Sequence, residues 1–126
     1  MNRWMRTLFG LGLGLLACVV SVAGSGAVAE APTKIRNYEV RMVKDHKFDP
    51  AEIEIQVGDT ITWINQTGAA HTATPDMNGD FPSQSVAGGK FSPRVPFPKE
   101  AIISYHCIPH QDAGMVGKII VKKVAP

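Results

Sequence analysis

Cysteine is scarce in this chain. Only 2 occur in 126 residues, Cys18 and Cys107, and Cys18 falls in an apolar stretch near the N-terminus. That stretch reads as a targeting segment. Arg3 and Arg6 make a short positive region, residues 7–24 carry no charge, and Ala27-Val28-Ala29 is a small-residue cleavage pattern before Glu30. With residues 1–29 set aside as a secretory signal peptide, one thiol remains, which excludes a structural disulfide within residues 30–126. A lone thiol in an oxidising export compartment is a liability unless something engages it. Excess charge is lacking too. Residues 30–126 carry 11 basic and 11 acidic side chains, a formal net charge of zero with His neutral. The basic excess expected of a nucleic-acid-binding domain is therefore missing. Helical periodicity, internal repeats and low-complexity tracts are also missing.

The apolar stretch admits two other readings. As a permanent anchor it is marginal in length and rich in Gly, so cleavage is preferred and no stable membrane insertion is expected afterwards. Leu15-Leu16-Ala17-Cys18 resembles the lipid-attachment box of bacterial lipoproteins, and would make Cys18 an acylated N-terminus. The apolar run continues through residues 19–23, as in a longer signal peptide, so lipidation is the less favoured reading. The expected domain organisation is a signal peptide over 1–29 and a single small domain over 30–126, located in the periplasm.

What the domain does have is alternation. Ile53, Ile55 and Val57 alternate with Glu52, Glu54 and Gln56, the period of a half-buried strand. Residues 35–43 and the β-branched and aromatic run at 60–65 read as further strands, with Gly58-Asp59 as a turn between strands. Residues 72–74 suggest a short strand, and 75–89 read as irregular loop. Residues 90–97 alternate but hold prolines, which confines them to an edge strand. Ile103, Tyr105 and Cys107 share one face of a strand over 101–106, with Ser104 and His106 on the other. Residues 116–124 close the domain. Short strands with regular turns indicate an all-β Greek-key sandwich or barrel of seven to eight strands, with a site at one end where loops meet.

The chemistry concentrates between the last two strands, in Cys107-Ile108-Pro109-His110-Gln111-Asp112-Ala113-Gly114-Met115. A thiolate, an imidazole and a thioether on one tight loop are soft donors that favour copper over hard cations. A lone Cys or Met is ordinarily core filler, and Cys-x-x-His can be half a zinc site. Zinc sites usually repeat the pair, however, and no second pair exists here. A second imidazole is needed from elsewhere, and His71, just past a strand end, is placed to supply it. His46 lies in the charged turn Lys44-Asp45-His46-Lys47 and is expected to be solvated. His106 points away from the Cys107 face. Both are expected to be non-ligands.

At His71, Cys107, His110 and Met115 the sequence resembles the cupredoxins, the small blue copper proteins. The resemblance covers residues 38–124 and includes Phe48-Asp49-Pro50 and Val57-Gly58-Asp59-Thr60-Ile61-Thr62-Trp63, similar to the plastocyanin, amicyanin and pseudoazurin branch. It implies one type 1 copper ion, with Cys107 as thiolate ligand, His71 and His110 completing a plane, and Met115 as weak axial donor. It also implies a one-electron carrier that catalyses no substrate reaction. Two departures stand out. Relatives often carry Asn after the first His and Ser or Thr after the Cys, side chains that tie the two loops together; here these positions are Thr72 and Ile108. The Thr72 backbone N–H remains free to donate to the Cys107 sulfur. The acidic patch through which plastocyanins dock is also missing.

Three functions compete. A diffusible carrier should be a monomer that meets redox partner proteins transiently near His110, through an apolar patch of Ala69, Ala70, Met77, Pro109 and Gly114. A copper enzyme would need further sites, typically His-x-His pairs, which are absent. A copper storage or delivery protein would use Met-rich or flexible sites, and beyond residue 29 only Met42, Met77 and Met115 occur. The carrier is the expectation and copper storage or delivery the alternative.

Overall fold

A computed structural model describes residues 34–125, so the predicted signal peptide and Cys18 lie outside the described residues. Among the described residues nine strands form in the order β1 (Asn37–Val43), β2 (Lys47–Asp49), β3 (Glu52–Gln56), β4 (Thr60–Asn65), β5 (His71–Pro75), β6 (Gln84–Val86), β7 (Val95–Pro96), β8 (Ala101–His106) and β9 (Val116–Lys122). One sheet has the order β2-β1-β4-β7 and the other β3-β9-β8-β5-β6. Neighbours such as β3 and β9, or β5 and β8, are distant in sequence, as the predicted all-β sandwich requires.

Alternation decides the faces. In β1, Val40 and Met42 turn inward; in β3, Ile55 does. The outward Glu52 and Glu54 pair with Lys118 and Lys122 of β9 at 3.2 and 2.8 Å. Between the sheets, Trp63 stacks on Phe81 at a centroid distance of 5.2 Å, and Tyr105 meets Phe48 at 4.7 Å. Tyr105 is opposite Gly117 in the β8–β9 ladder. A Cβ at Gly117 would lie 2.3 Å from the Tyr105 ring, so only glycine lets the ring lie over β9.

The predicted turn at Gly58-Asp59 is stitched by a buried carboxylate. Asp59 accepts the backbone N–H groups of Arg36 and Gln56, each at 2.9 Å, which ties the start of β1 to the end of β3. Two stretches differ from expectation. Of residues 90–97 only Val95 and Pro96 join a strand, and Phe91 makes an isolated bridge to Ile64. Pro93 cannot donate to a ladder, and Ser92 makes a tie to β4: its N–H donates to Trp63 O at 2.8 Å and its Oγ accepts the Trp63 N–H at 2.9 Å. Conversely, the loop read over 75–89 contains β6, which pairs with β5 from Ala73↔Gln84 to His71↔Val86. Three polar and apolar residues in a Gly- and Ser-rich context give too short a pattern to read.

Candidate metal centre

The site lies at one end of the sandwich, where β5 begins and β8 ends. Asn65, buried at the end of β4, shapes the first half. Its amide donates to the carbonyls of Ala69 and Val86 at 2.7 and 2.9 Å, and its Oδ1 accepts the Thr67 N–H and hydroxyl. The loop so held delivers His71 to the first position of β5, where it is 3% exposed. The Thr67 hydroxyl lies 3.0 Å from His71 Nε2. With Nε2 as the protonated nitrogen, this bond fixes the ring and leaves Nδ1 with a free lone pair.

The second half is the link between β8 and β9, a 3-10 segment over Ile108–Ala113. Pro109 suits its first turn because a missing N–H costs nothing there. Gly114 ends it in the left-handed region at φ 82°. Backbone bonds close the loop: the Cys107 N–H donates to Met115 O at 3.0 Å, His110 N–H to Cys107 O at 3.1 Å, and Met115 N–H to His110 O at 3.2 Å. The tight loop was legible in sequence; its 3-10 form was not, since six residues carry no periodicity.

Three donor atoms converge. His71 Nδ1 and His110 Nδ1 lie 3.2 Å apart, and Cys107 Sγ lies 3.7 and 3.4 Å from them. Cys107 is fully buried and has no disulfide partner among the described residues. His71, Cys107 and His110 are the one group among the described residues whose His, Cys or carboxylate atoms could share a metal. Met115 is also fully buried, bonded through its backbone to both Cys107 and His110. Burial depresses the His71 pKa below the usual imidazole value, and the neighbouring His110 and His46 push it the same way. Two imidazole nitrogens and a buried thiol facing one another are a donor set shaped for a soft cation.

The link between the two loops survives both departures in sequence. The Thr72 N–H points at Cys107 Sγ at 3.3 Å, as expected. The Ile108 side chain makes no tie, but its backbone N–H donates to Thr72 Oγ1 at 2.9 Å. Thr74 in turn donates to Thr72 Oγ1 at 3.1 Å and bonds the Ser83 hydroxyl at 2.6 Å. A threonine hydroxyl and a main-chain amide thus do what two side chains would do elsewhere.

His106 is turned away from the donor group and bonds Asp76 through Nδ1. His46 is exposed as expected, yet its ring is not merely solvated. It stacks on His110 with centroids 4.1 Å apart and planes 26° apart. Nothing in the charged turn around it announces this contact, which depends on a backbone conformation that the sequence does not spell out.

Residues 37–122 match the copper-binding proteins of the plastocyanin/azurin family. The chain belongs to that family. A plastocyanin of a Synechococcus strain is 32% identical over 116 residues, covering 79% of this chain and 85% of its own length. Halocyanin of Natronomonas pharaonis is 37% identical over 78 residues, 60% of this chain and 48% of the relative. The chloroplastic plastocyanin of Tetradesmus obliquus is 35% identical over 86 residues, 60% of this chain and 58% of the relative. The chain thus spans about half the length of these last two relatives. Among solved structures, an oxidised amicyanin mutant with methionine replaced by leucine superposes with a TM-score of 0.57 at 26% identity, covering 68% of this chain and 81% of that one. The Cu(I) form of another amicyanin mutant gives 0.58 at 27%, covering 68% and 82%. Family and donor group together fit one type 1 copper ion in this cupredoxin.

Proposed function

We propose that this cupredoxin is a periplasmic one-electron carrier, exported by a signal peptide over residues 1–29 and catalysing no substrate reaction of its own. His71, Cys107 and His110 would hold the copper ion, and Met115 would supply a weak fourth donor. The observation that carries the reading is the convergence of two imidazole nitrogens on a buried, disulfide-free thiol, with the ligands drawn from two separate loops.

Copper, when bound, supplies a couple between Cu(II) and Cu(I). The chain's own residues do the rest. Thr67 holds His71 in one tautomer, and the Thr72 N–H places a positive dipole end at the Cys107 sulfur, where it favours thiolate. The β5–β8 pairing and the Thr72–Ile108 bond fix the spacing of the two loops, so little has to rearrange when charge changes. Burial of Cys107 and Met115 keeps water from the sulfur donors. His110 is half-buried, nearest to solvent of the three, and is the natural exit. Exposed Ala69, Ala70, Pro109 and Gly114, together with Met77, provide the apolar docking patch for transient redox partner proteins. Weak redox encounters need only a small interface.

Voltammetry of the copper-loaded monomer tests this. A carrier gives a reversible one-electron wave that repeats over many cycles. Loss of copper on each reduction would instead favour storage or delivery.

A further inference from the structure

The β1–β2 connection holds two consecutive non-glycine residues in a backbone conformation that favours glycine. Asp45 has φ 65° and His46 φ 53°, two consecutive residues in the left-handed region. The turn joins Val43 to Lys47 across an antiparallel pair, and Asp-Gly would meet its backbone with less strain. The sequence places an imidazole at the second position instead. Non-glycine residues persist in such conformations where the surroundings hold them, and they concentrate at functional sites.

What this turn presents to the metal centre is the flat face of the His46 ring. The ring stacks on His110, and it meets His71 edge-on at 6.2 Å and 71°. His46 itself is exposed, so core burial does not explain the residue. It also lies outside the group of converging donors. The two ligand histidines differ in how they are held. His71 is buried at the start of a strand, with Nε2 bonded to Thr67. His110 is half-buried on a short 3-10 segment and departs from helical geometry at φ −130° and ψ 18°. Among the described residues no hydrogen bond secures its Nε2; only Nδ1, on the metal side, has neighbours. The plane of the His110 ring is therefore set on its outer side by His46.

We propose that His46 is a positioning residue of the copper site: its ring, stacked on His110, keeps that imidazole turned with Nδ1 toward Cys107 and His71. The proposal rests on the copper reading of the site. It also accounts for the turn, since the left-handed backbone is what aims the ring. A glycine there would relax the chain and leave His110 without its outer support.

The test compares the full chain with His46→Gly and His46→Phe, each loaded with copper, reduced with ascorbate and chased with excess bicinchoninate, which captures Cu(I). Glycine deletes the ring and suits the backbone, whereas phenylalanine retains a face to stack. His46→Gly is expected to lose copper about two- to tenfold faster, the rate ratio that one aromatic contact implies. His46→Phe is expected to match the unmodified chain. Metal-free His46→Gly is expected to melt at the same temperature as the unmodified chain or higher, because the strain is gone. A glycine variant that releases copper at the unmodified rate would overturn the proposal. So would a phenylalanine variant as fast as the glycine one, or a metal-free glycine variant that melts lower, which would make the ring a prop of the fold. An unmodified chain that takes up Cu(II) without an intense visible band would overturn the copper reading, and the proposal with it, before any variant is made.

Discussion

Met115 and His71 show how far single residues tune this site. Met115 is fully buried and tied by its backbone to both Cys107 and His110, so replacing its side chain leaves the loop bonds in place. An axial thioether is a weak, long donor whose main effect is on potential. Met115→Leu and Met115→Gln should therefore still bind copper, with reduction potentials displaced from the unmodified value in voltammetry. Unchanged potentials in both would remove Met115 from the ligand set. His71 contributes to the pH dependence of the metal-free protein's stability. Its pKa is lowered, by burial first and then by His110 and His46, so the unfolded chain takes up a proton that the folded chain resists. Stability from this source is present above the unfolded value of about 6.5 and is lost as pH falls below it. The urea midpoint of the metal-free chain should drop as pH is lowered through that range, and drop less steeply in His71→Gln. Equal slopes in the two would mean that His71 takes its proton without cost.

At the scale of the element, the β8–β9 hairpin carries most of the site and most of the sequence information. Cys107 and His110 were legible as one donor group because they sit three residues apart and their chemistry is local. His71 was legible only as a candidate after a strand end; what commits it is Asn65, which bonds across to Val86 and so depends on β6, a strand too short to read. His46 was placed correctly at the surface but not against His110, because stacking follows from two positive φ angles that Lys44-Asp45-His46-Lys47 does not encode by type. The alternation in β3 was read correctly since one face is charged and the other aliphatic. Residues 90–97 alternate equally well, yet prolines remove the donors that a ladder needs. The hairpin also has a weak point. Gly117 is opposite Tyr105 and has no room for a Cβ. Gly117→Ala should cost about 1–3 kcal/mol through overpacking, measured as a lower urea midpoint with an unchanged slope. A midpoint equal to the unmodified chain would show that the ring moves aside freely.

For the whole molecule, the sandwich brings together ligands that are 36 residues apart in sequence, holding the Cys107 loop with main-chain bonds and the His71 side with the buried or half-buried side chains of Asn65, Thr67 and Thr72. The fold class was readable from strand period and turns, because alternation is a local property. Sheet order was not, since β3 joins β9 and β5 joins β8 over long separations that only the packed core of Trp63, Phe81, Phe97 and Tyr105 enforces. The central claim is that this scaffold presents Cys107 thiolate to one copper ion. Titrating the metal-free chain with Cu(II) while recording the visible spectrum tests it most directly. An intense thiolate-to-copper band should grow to an end point at one equivalent, and Cys107→Ser should abolish it because a serine hydroxyl is a poor soft donor. A pale solution from the unmodified chain, or an intense band that survives in Cys107→Ser, would contradict the account.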